Sequence, residues 1–179
     1  YAAVGLHPIH LQEMEVAEGG VVFKTRQEDF NYNTYRDLAV QEKVVAVGEA
    51  GFDYFHIDPS ADFEEVVAVQ KRVFCLQIDL ANELDLPVIV HTRGAKTEPD
   101  FAYINMLSEL KKNTPRKGGV MHCYGGPVEL AQEFIKLGLY ISFNGVLTFD
   151  RTGRMEQILL SIPNDRILTE TDCPYLTPE

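Results

Sequence analysis

The sequence predicts an α/β fold, and within that class a parallel barrel of the TIM-type (β/α)8 architecture. Three observations predict it. Short β-branched runs alternate with segments of helical period, and run after run ends on one ionisable or amide side chain. No glycine-rich phosphate fingerprint follows the first run, which disfavours the doubly wound open sheet that the same alternation could also build.

The strand-like runs are residues 1–7, 44–49, 88–92, 119–123, 140–144 and 167–172. Residues 8–43 are the least regular part, read as an acidic, glycine-containing loop over 13–20 and then a helix over 33–41. The clearest helix carries Phe63, Val66, Val67, Gln70, Val73, Phe74, Gln77, Ile78, Ala81 and Leu84 on one face, a stripe read as core. Leu86-Pro87 ends it, because the residue before a proline avoids the helical region. Pro127 opens the next helix and Gly138 closes it. With no repeat, low-complexity tract or linker, residues 1–179 read as a single barrel domain.

In a barrel enzyme the strand C-terminal ends meet on one face, and here those ends carry His7, Glu49, His91, His122, Asn144 and Asp172. The two-residue period of a strand groups Val45, Val47 and Glu49; Ile89, His91 and Arg93; Val120, His122 and Tyr124; and Leu168, Glu170 and Asp172. In each group apolar residues would fill the interior while a polar residue caps it. Two imidazoles and two carboxylates from four strands, Glu49, His91, His122 and Asp172, suit one or two divalent cations such as magnesium, manganese or zinc. A cation of that kind polarises a scissile bond and lowers the pKa of water, so hydrolysis proceeds near neutral pH.

Composition limits the alternatives. A hydrophobic content of 45% fits a globular domain, and no apolar run approaches the ~18–20 residues of a membrane span. No signal-peptide pattern is present, and Cys75, Cys123 and Cys173 cannot all pair within the chain and lack Cys-x-x-Cys spacing, which makes the reduced cytoplasm the expected location. The net charge of −11 argues against a broad basic DNA-holding surface, although a bound cation could attract a phosphate locally. No obligate protein partner is indicated.

Five stretches occur in order: Gly5-Leu6-His7-Pro8, Val47-Gly48-Glu49-Ala50-Gly51-Phe52-Asp53-Tyr54, Pro87-Val88-Ile89-Val90-His91-Thr92-Arg93, Met121-His122-Cys123-Tyr124-Gly125-Gly126, and Glu170-Thr171-Asp172-Cys173-Pro174-Tyr175-Leu176-Thr177-Pro178. Together they closely resemble the TatD family of metal-dependent deoxyribonucleases, within the amidohydrolase superfamily. The resemblance implies a one- or two-metal barrel that hydrolyses phosphodiester bonds in DNA, often as an exonuclease. It implies that Glu49 bridges two metals, that His91 and His122 are imidazole ligands, and that Asp172 binds metal and orients or deprotonates the attacking water. The His-x-His pair usual on the family's first strand does not occur here. With Tyr1 opening directly in a strand-like run, the expectation is a segment incomplete at both ends, supplying the third through eighth strands.

Other residues carry two readings each. His7 is a substrate-phosphate contact or a polar strand cap. Arg93 holds a phosphate bidentately or pairs with Glu170 or Asp53. Glu170 is expected behind a ligand, orienting an imidazole, and Asp53 behind the site as a loop-shaping carboxylate. Gly125 and Gly126 offer backbone N–H groups as a phosphate cradle, without the hydroxyl that family members often carry at the position of Gly125. Alternation is expected to turn Cys123 away from the site; Cys123 and Cys173 are both read as packing residues, and His10 and His56 as solvated. Two further functional readings stand beside the nuclease: hydrolysis of a small amide, lactone or phosphodiester, and a non-catalytic barrel kept for binding.

Overall fold

The computed structural model describes residues 1–18 and 20–173. In chain order the elements are β1 (Ala2–Val4), a 3-10 turn (Pro8–Leu11), β2 (Glu15–Glu18), β3 (Val21–Lys24), α1 (Tyr32–Ala39), β4 (Val44–Asp53), α2 (Phe63–Leu84) and β5 (Val88–Arg93). There follow α3 (Phe101–Lys112), β6 (Gly119–Met121), α4 (Val128–Lys136), β7 (Leu139–Phe143), α5 (Val146–Phe149), α6 (Arg154–Ser161), a second 3-10 turn (Asn164–Arg166) and β8 (Ile167–Thr169). The stretch from Pro174 to Pro178 in the fifth motif lies outside the described residues.

Six strands form one sheet in the order β1-β4-β5-β6-β7-β8, every pairing parallel. The order follows the chain without reversal. A doubly wound sheet requires a switch point where the order turns back, so the open-sheet alternative is excluded. β1 and β8 are the two edges, with no pairing between them among the described residues. Among those residues no helix is long and apolar enough to cross a membrane.

α2 is the packing centre. Asp62 caps it by accepting from the Glu64 and Glu65 N–H groups, and Asp85, in the left-handed conformation at φ 57°, ends it. Its buried face presses Val67, Phe74, Ile78, Leu80 and Ala81 into one cluster with Val47, Phe52, Val88 and Val90 of the sheet. Two buried residues of that face are amides, and they act on the strand ends. Gln77 accepts from the Leu6 N–H (2.8 Å) and donates to the Leu6 carbonyl (3.1 Å). Gln70 does the same to Asp53, at 3.0 and 2.9 Å. Each glutamine substitutes for a missing neighbour strand, satisfying a buried backbone unit that would otherwise be orphaned.

Three sequence expectations need correction. The loop expected over 13–20 is an antiparallel hairpin, with Val16 opposite Phe23 and Glu18 opposite Val21. The Gly19-Gly20 pair between two apolar runs was the signal for it in the sequence. The grouping of Val47 with Glu49 also fails. Val47 pairs with Val88 and Ala50 with Val90, so three steps on β4 oppose two on β5. The extra residue reverses the alternation, leaving Val47 fully buried under the helices and turning Glu49 to the face of Gly51 and Asp53. Finally, Tyr124 does not share the face of His122. β6 ends at Met121 and Cys123 adopts φ +46°, so Tyr124 turns into the core against Tyr103 and Phe134.

Candidate metal centre

The strand ends open into a cavity of about 440 Å³. Its lining includes Glu49, Asp53, His91, Arg93, His122 and Asp172, together with His7, His10 and His56. All five histidines of the chain therefore face one space.

Glu49 is its centre. The Glu49 Oε2 atom lies 3.7 Å from His7 Nε2, 3.7 Å from His91 Nδ1 and 3.8 Å from His122 Nε2. These separations are too long for hydrogen bonds and leave room for an ion between the groups. Asp172 Oδ1 completes the far side, 3.4 Å from His122 Nε2. By distance alone two ligand groups share Glu49, one with His7 and His91 and one with His122 and Asp172.

Hydrogen bonding separates the three imidazoles more sharply than distance does. A neutral imidazole carries one N–H, and its partners decide which nitrogen keeps a lone pair. His91 Nε2 faces the Asp53 carboxylate at 3.1 Å and His122 Nδ1 faces Glu170 at 2.6 Å, so those nitrogens donate. Their other nitrogens face Glu49, where a metal would take the place of any proton they carry. His7 is wired the opposite way. Its Nδ1 accepts from the Ile9 N–H at 3.3 Å, so Nε2 keeps the proton and points it into the cavity. With the Ile9 N–H occupying Nδ1, the proton has nowhere else on the ring to go, so His7 stays outside the ligand set that distance alone would give it.

Asp53 and Glu170 hold more than one group each. Asp53, 1% exposed, also accepts from the His56 ring at 2.9 Å and from the His56 N–H at 2.9 Å. Burial alone would raise its carboxyl, but the His56 and His91 hydrogen bonds overcome that and keep it well below the usual carboxylate range. Glu170 also accepts from the Cys123 N–H at 2.6 Å. Burial would lower His122, but hydrogen bonds to Asp172 and Glu170 push it up to about 10. His7 is shifted the other way, first by burial and then by the charge of His91, so it is neutral at pH 7.

Arg93 lines the cavity with its guanidinium 4.0 Å from the centre of the Phe55 ring. Gly125 and Gly126 are not among the lining residues. The Gly125 N–H donates to the Tyr103 hydroxyl at 3.3 Å, and a Cβ on Gly126 would come within 2.6 Å of the Tyr103 ring. Gly126 makes room for the Tyr103 ring, whereas a Cβ at Gly125 would meet the Tyr103 hydroxyl at an ordinary 3.6 Å.

Three residues read otherwise from sequence belong to the site. Cys123 lines the cavity, because its left-handed backbone breaks the alternation that was to turn it away. Its thiol accepts from the Asn144 amide at 2.8 Å, and burial pushes its pKa up to about 12. His56 is the partner of Asp53 rather than solvated. His10 lines the cavity with a buried Nδ1 that has no hydrogen-bond partner among the described residues. Their spacing was the available signal, since His10 and His56 each follow a site residue by three positions.

The donor set fits a divalent cation of borderline or hard character. Two oriented imidazole nitrogens and two carboxylates converge, and the surrounding acid excess needs positive charge before an anionic substrate can enter.

Comparison with known proteins follows the same line. A family model described as TatD related DNase matches residues 1–179. The chain is 39% identical over 178 residues to the uncharacterized metal-dependent hydrolase YabD of Bacillus subtilis (strain 168), covering 99% of this chain and 60% of that protein. It is 37% identical over 144 residues to a protein of Rahnella sp. (strain Y9602) named 3'-5' ssDNA/RNA exonuclease TatD, covering 80% of this chain and 50% of that protein. Among solved structures, YJJV, a TatD homolog from Escherichia coli k12, superposes with a TM-score of 0.77 at 30% identity, over 100% of this chain and 60% of that one. The chain thus spans 50–60% of the length of these relatives. Its fold is of the TIM-barrel type, with six parallel strands present.

Proposed function

This chain belongs to the TatD related DNase family, and on that premise we propose that it is a metal-dependent hydrolase that cleaves phosphodiester bonds in DNA. One observation carries the reading: two imidazoles, each gripped from behind by a carboxylate, aim their other nitrogens at the same oxygen of Glu49 from 3.7 and 3.8 Å. The relative named as an exonuclease on ssDNA and RNA supports a nucleic-acid substrate.

Glu49, His91, His122 and Asp172 would hold one or two magnesium, manganese or zinc ions. When bound, such an ion supplies Lewis acidity and neutralises a phosphodiester. The chain's own residues do the rest. His7 donates its Nε2–H to a non-bridging phosphate oxygen, because the Ile9 N–H occupies its other nitrogen. Arg93, steadied over Phe55, offers a planar fork to the same phosphate. Asp172 takes a proton from the attacking water, and it is open enough, at 30% side-chain exposure, for water to reach it. Glu170 and Asp53 fix the two ligand rings.

The test is cleavage of short single- and double-stranded DNA and RNA oligonucleotides by full-length protein loaded with magnesium, manganese or zinc. A panel of amides and lactones runs beside them. The expected result is metal-dependent oligonucleotide cleavage that EDTA abolishes. Turnover of the amide or lactone panel with DNA left intact would move the function to the wider superfamily. Turnover of neither would leave a binding barrel.

A further inference from the structure

Beside the metal cavity lies a second one of about 350 Å³, whose walls include Tyr54, Ile57, Phe63, Ala95 and Phe101. The two cavities share the loops that follow β4 and β5 but divide their residues. Asp53 and His56 face the first while Tyr54 and Ile57 face the second, and Arg93 faces the first while Ala95 faces the second. They therefore lie on opposite sides of one pair of loops, at the same rim of the sheet.

The walls are aromatic and open. Phe63 and Phe101, the first residues of α2 and α3, are each 39% exposed and pack against Tyr54, with centroids 5.5 and 6.1 Å away. Rings fixed on one side and open on the other are stacking platforms for flat heterocycles. On the loop after β4, between Tyr54 and His56 in sequence, the Phe55 ring carries the Arg93 guanidinium at 4.0 Å and the Lys96 ammonium at 4.9 Å. In a chain of net charge −11, two cations on one ring mark a place for a phosphate. The second cavity has the opposite character. Its charged lining residues are Asp58 and Glu98, which repel phosphate and can accept from an exocyclic amino group.

We propose that this second cavity receives an unstacked nucleobase of a single-stranded polynucleotide whose scissile phosphate lies in the metal cavity at Arg93, with Lys96 beside the backbone that links the two. The proposal rests on the nuclease reading for its substrate class. A base within a duplex cannot enter such a pocket, so the subsite selects single strands or frayed ends.

The experiment measures equilibrium binding in EDTA, where cleavage is not expected, using the fluorescence anisotropy of two labelled probes. One is an oligodeoxycytidylate and the other an abasic deoxyribose-phosphate oligomer of equal length. Full-length protein should prefer the cytidylate by on the order of tenfold, the worth of one stacked base. Phe63→Ala and Phe101→Ala should each abolish that preference while leaving abasic affinity unchanged, and Phe63→Tyr should retain it. Thr97→Trp, at an exposed lining position, should block the pocket without removing any packed ring. Equal affinity for the two probes, or a preference that survives all the disruptive variants, overturns the proposal. Cleavage in manganese is scored separately. Base-dependent binding without cleavage keeps the subsite and sinks the nuclease reading, and cleavage without base preference does the reverse.

Discussion

On one side of Glu49, Asp53 and His91 stand on β4 and β5, strands of ten and six residues, and α2 clasps the backbone at Leu6 and Asp53 through Gln77 and Gln70. On the other side, His122 and Asp172 stand beyond β6 and β8, strands of three residues each, next to or within left-handed backbone at Cys123 (φ 46°) and Asp172 (φ 55°). The first half is positioned by secondary structure and its helix. The second is positioned by side chains, above all Glu170, which ties the His122 ring and the Cys123 N–H together. Two ligands of one centre can thus be equally well placed by different means, and the difference predicts how each half fails.

Asp172→Asn tests the side-chain-built half at its most sensitive point, removing the charge while keeping the shape. Oligonucleotide cleavage should fall about 10²–10⁴-fold, the scale of a lost general base, with circular dichroism unchanged. An unaltered rate would remove Asp172 from the chemistry.

Glu170→Gln and Asp53→Asn set the halves against each other. Removing a carboxylate behind a ligand imidazole costs about 10–100-fold in metal affinity. Calorimetric titration with manganese should place Glu170→Gln toward the high end of that range, because Cys123 loses its anchor too. Asp53→Asn should fall toward the low end, because Gln70 still clasps the backbone. The reverse order would break the comparison.

Gln70→Ala and Gln77→Ala attack the helix-built half. Each leaves a buried backbone N–H and carbonyl without partners, a loss of about 1–3 kcal/mol per orphaned group in urea denaturation. The Glu170–His122 distance in a crystal structure of either variant should not change.

The metal-free protein should also show a pH response that separates the halves. The folded-state pKa of His122 is raised to about 10, so its contribution is complete below the unfolded value near 6.5 and disappears as pH climbs toward 10. Asp53 is lowered, so its contribution holds above the unfolded value near 3.8 and is lost on acidification below it. The side-chain half should weaken on the alkaline side and the helix half on the acid side. His122→Gln should flatten only the alkaline limb of stability against pH.

How much of this was legible in the sequence follows the same division. Glu49, His91, His122 and Asp172 could be found because each closes a β-branched run, and a barrel brings such ends together. The phase argument held on β5, which is regular from Val88 to Arg93. It failed at Val47, where an extra residue shifts the register, and at Tyr124, where a left-handed residue follows a short strand. Neither a bulge nor a positive φ at a cysteine leaves a mark in residue type. Gln70 and Gln77 were visible inside the apolar stripe but were read as core. Two amides seven residues apart on a buried face must bond to something, and that requirement was the signal for the clasp.

The most direct measurement is anomalous diffraction from manganese-soaked crystals of the full-length protein. The account predicts density within roughly 2.0–2.6 Å of Glu49, His91 Nδ1, His122 Nε2 and Asp172, with His7 Nε2 left outside the coordination shell. Manganese bound through His7 Nε2, or density remote from Glu49, would contradict it.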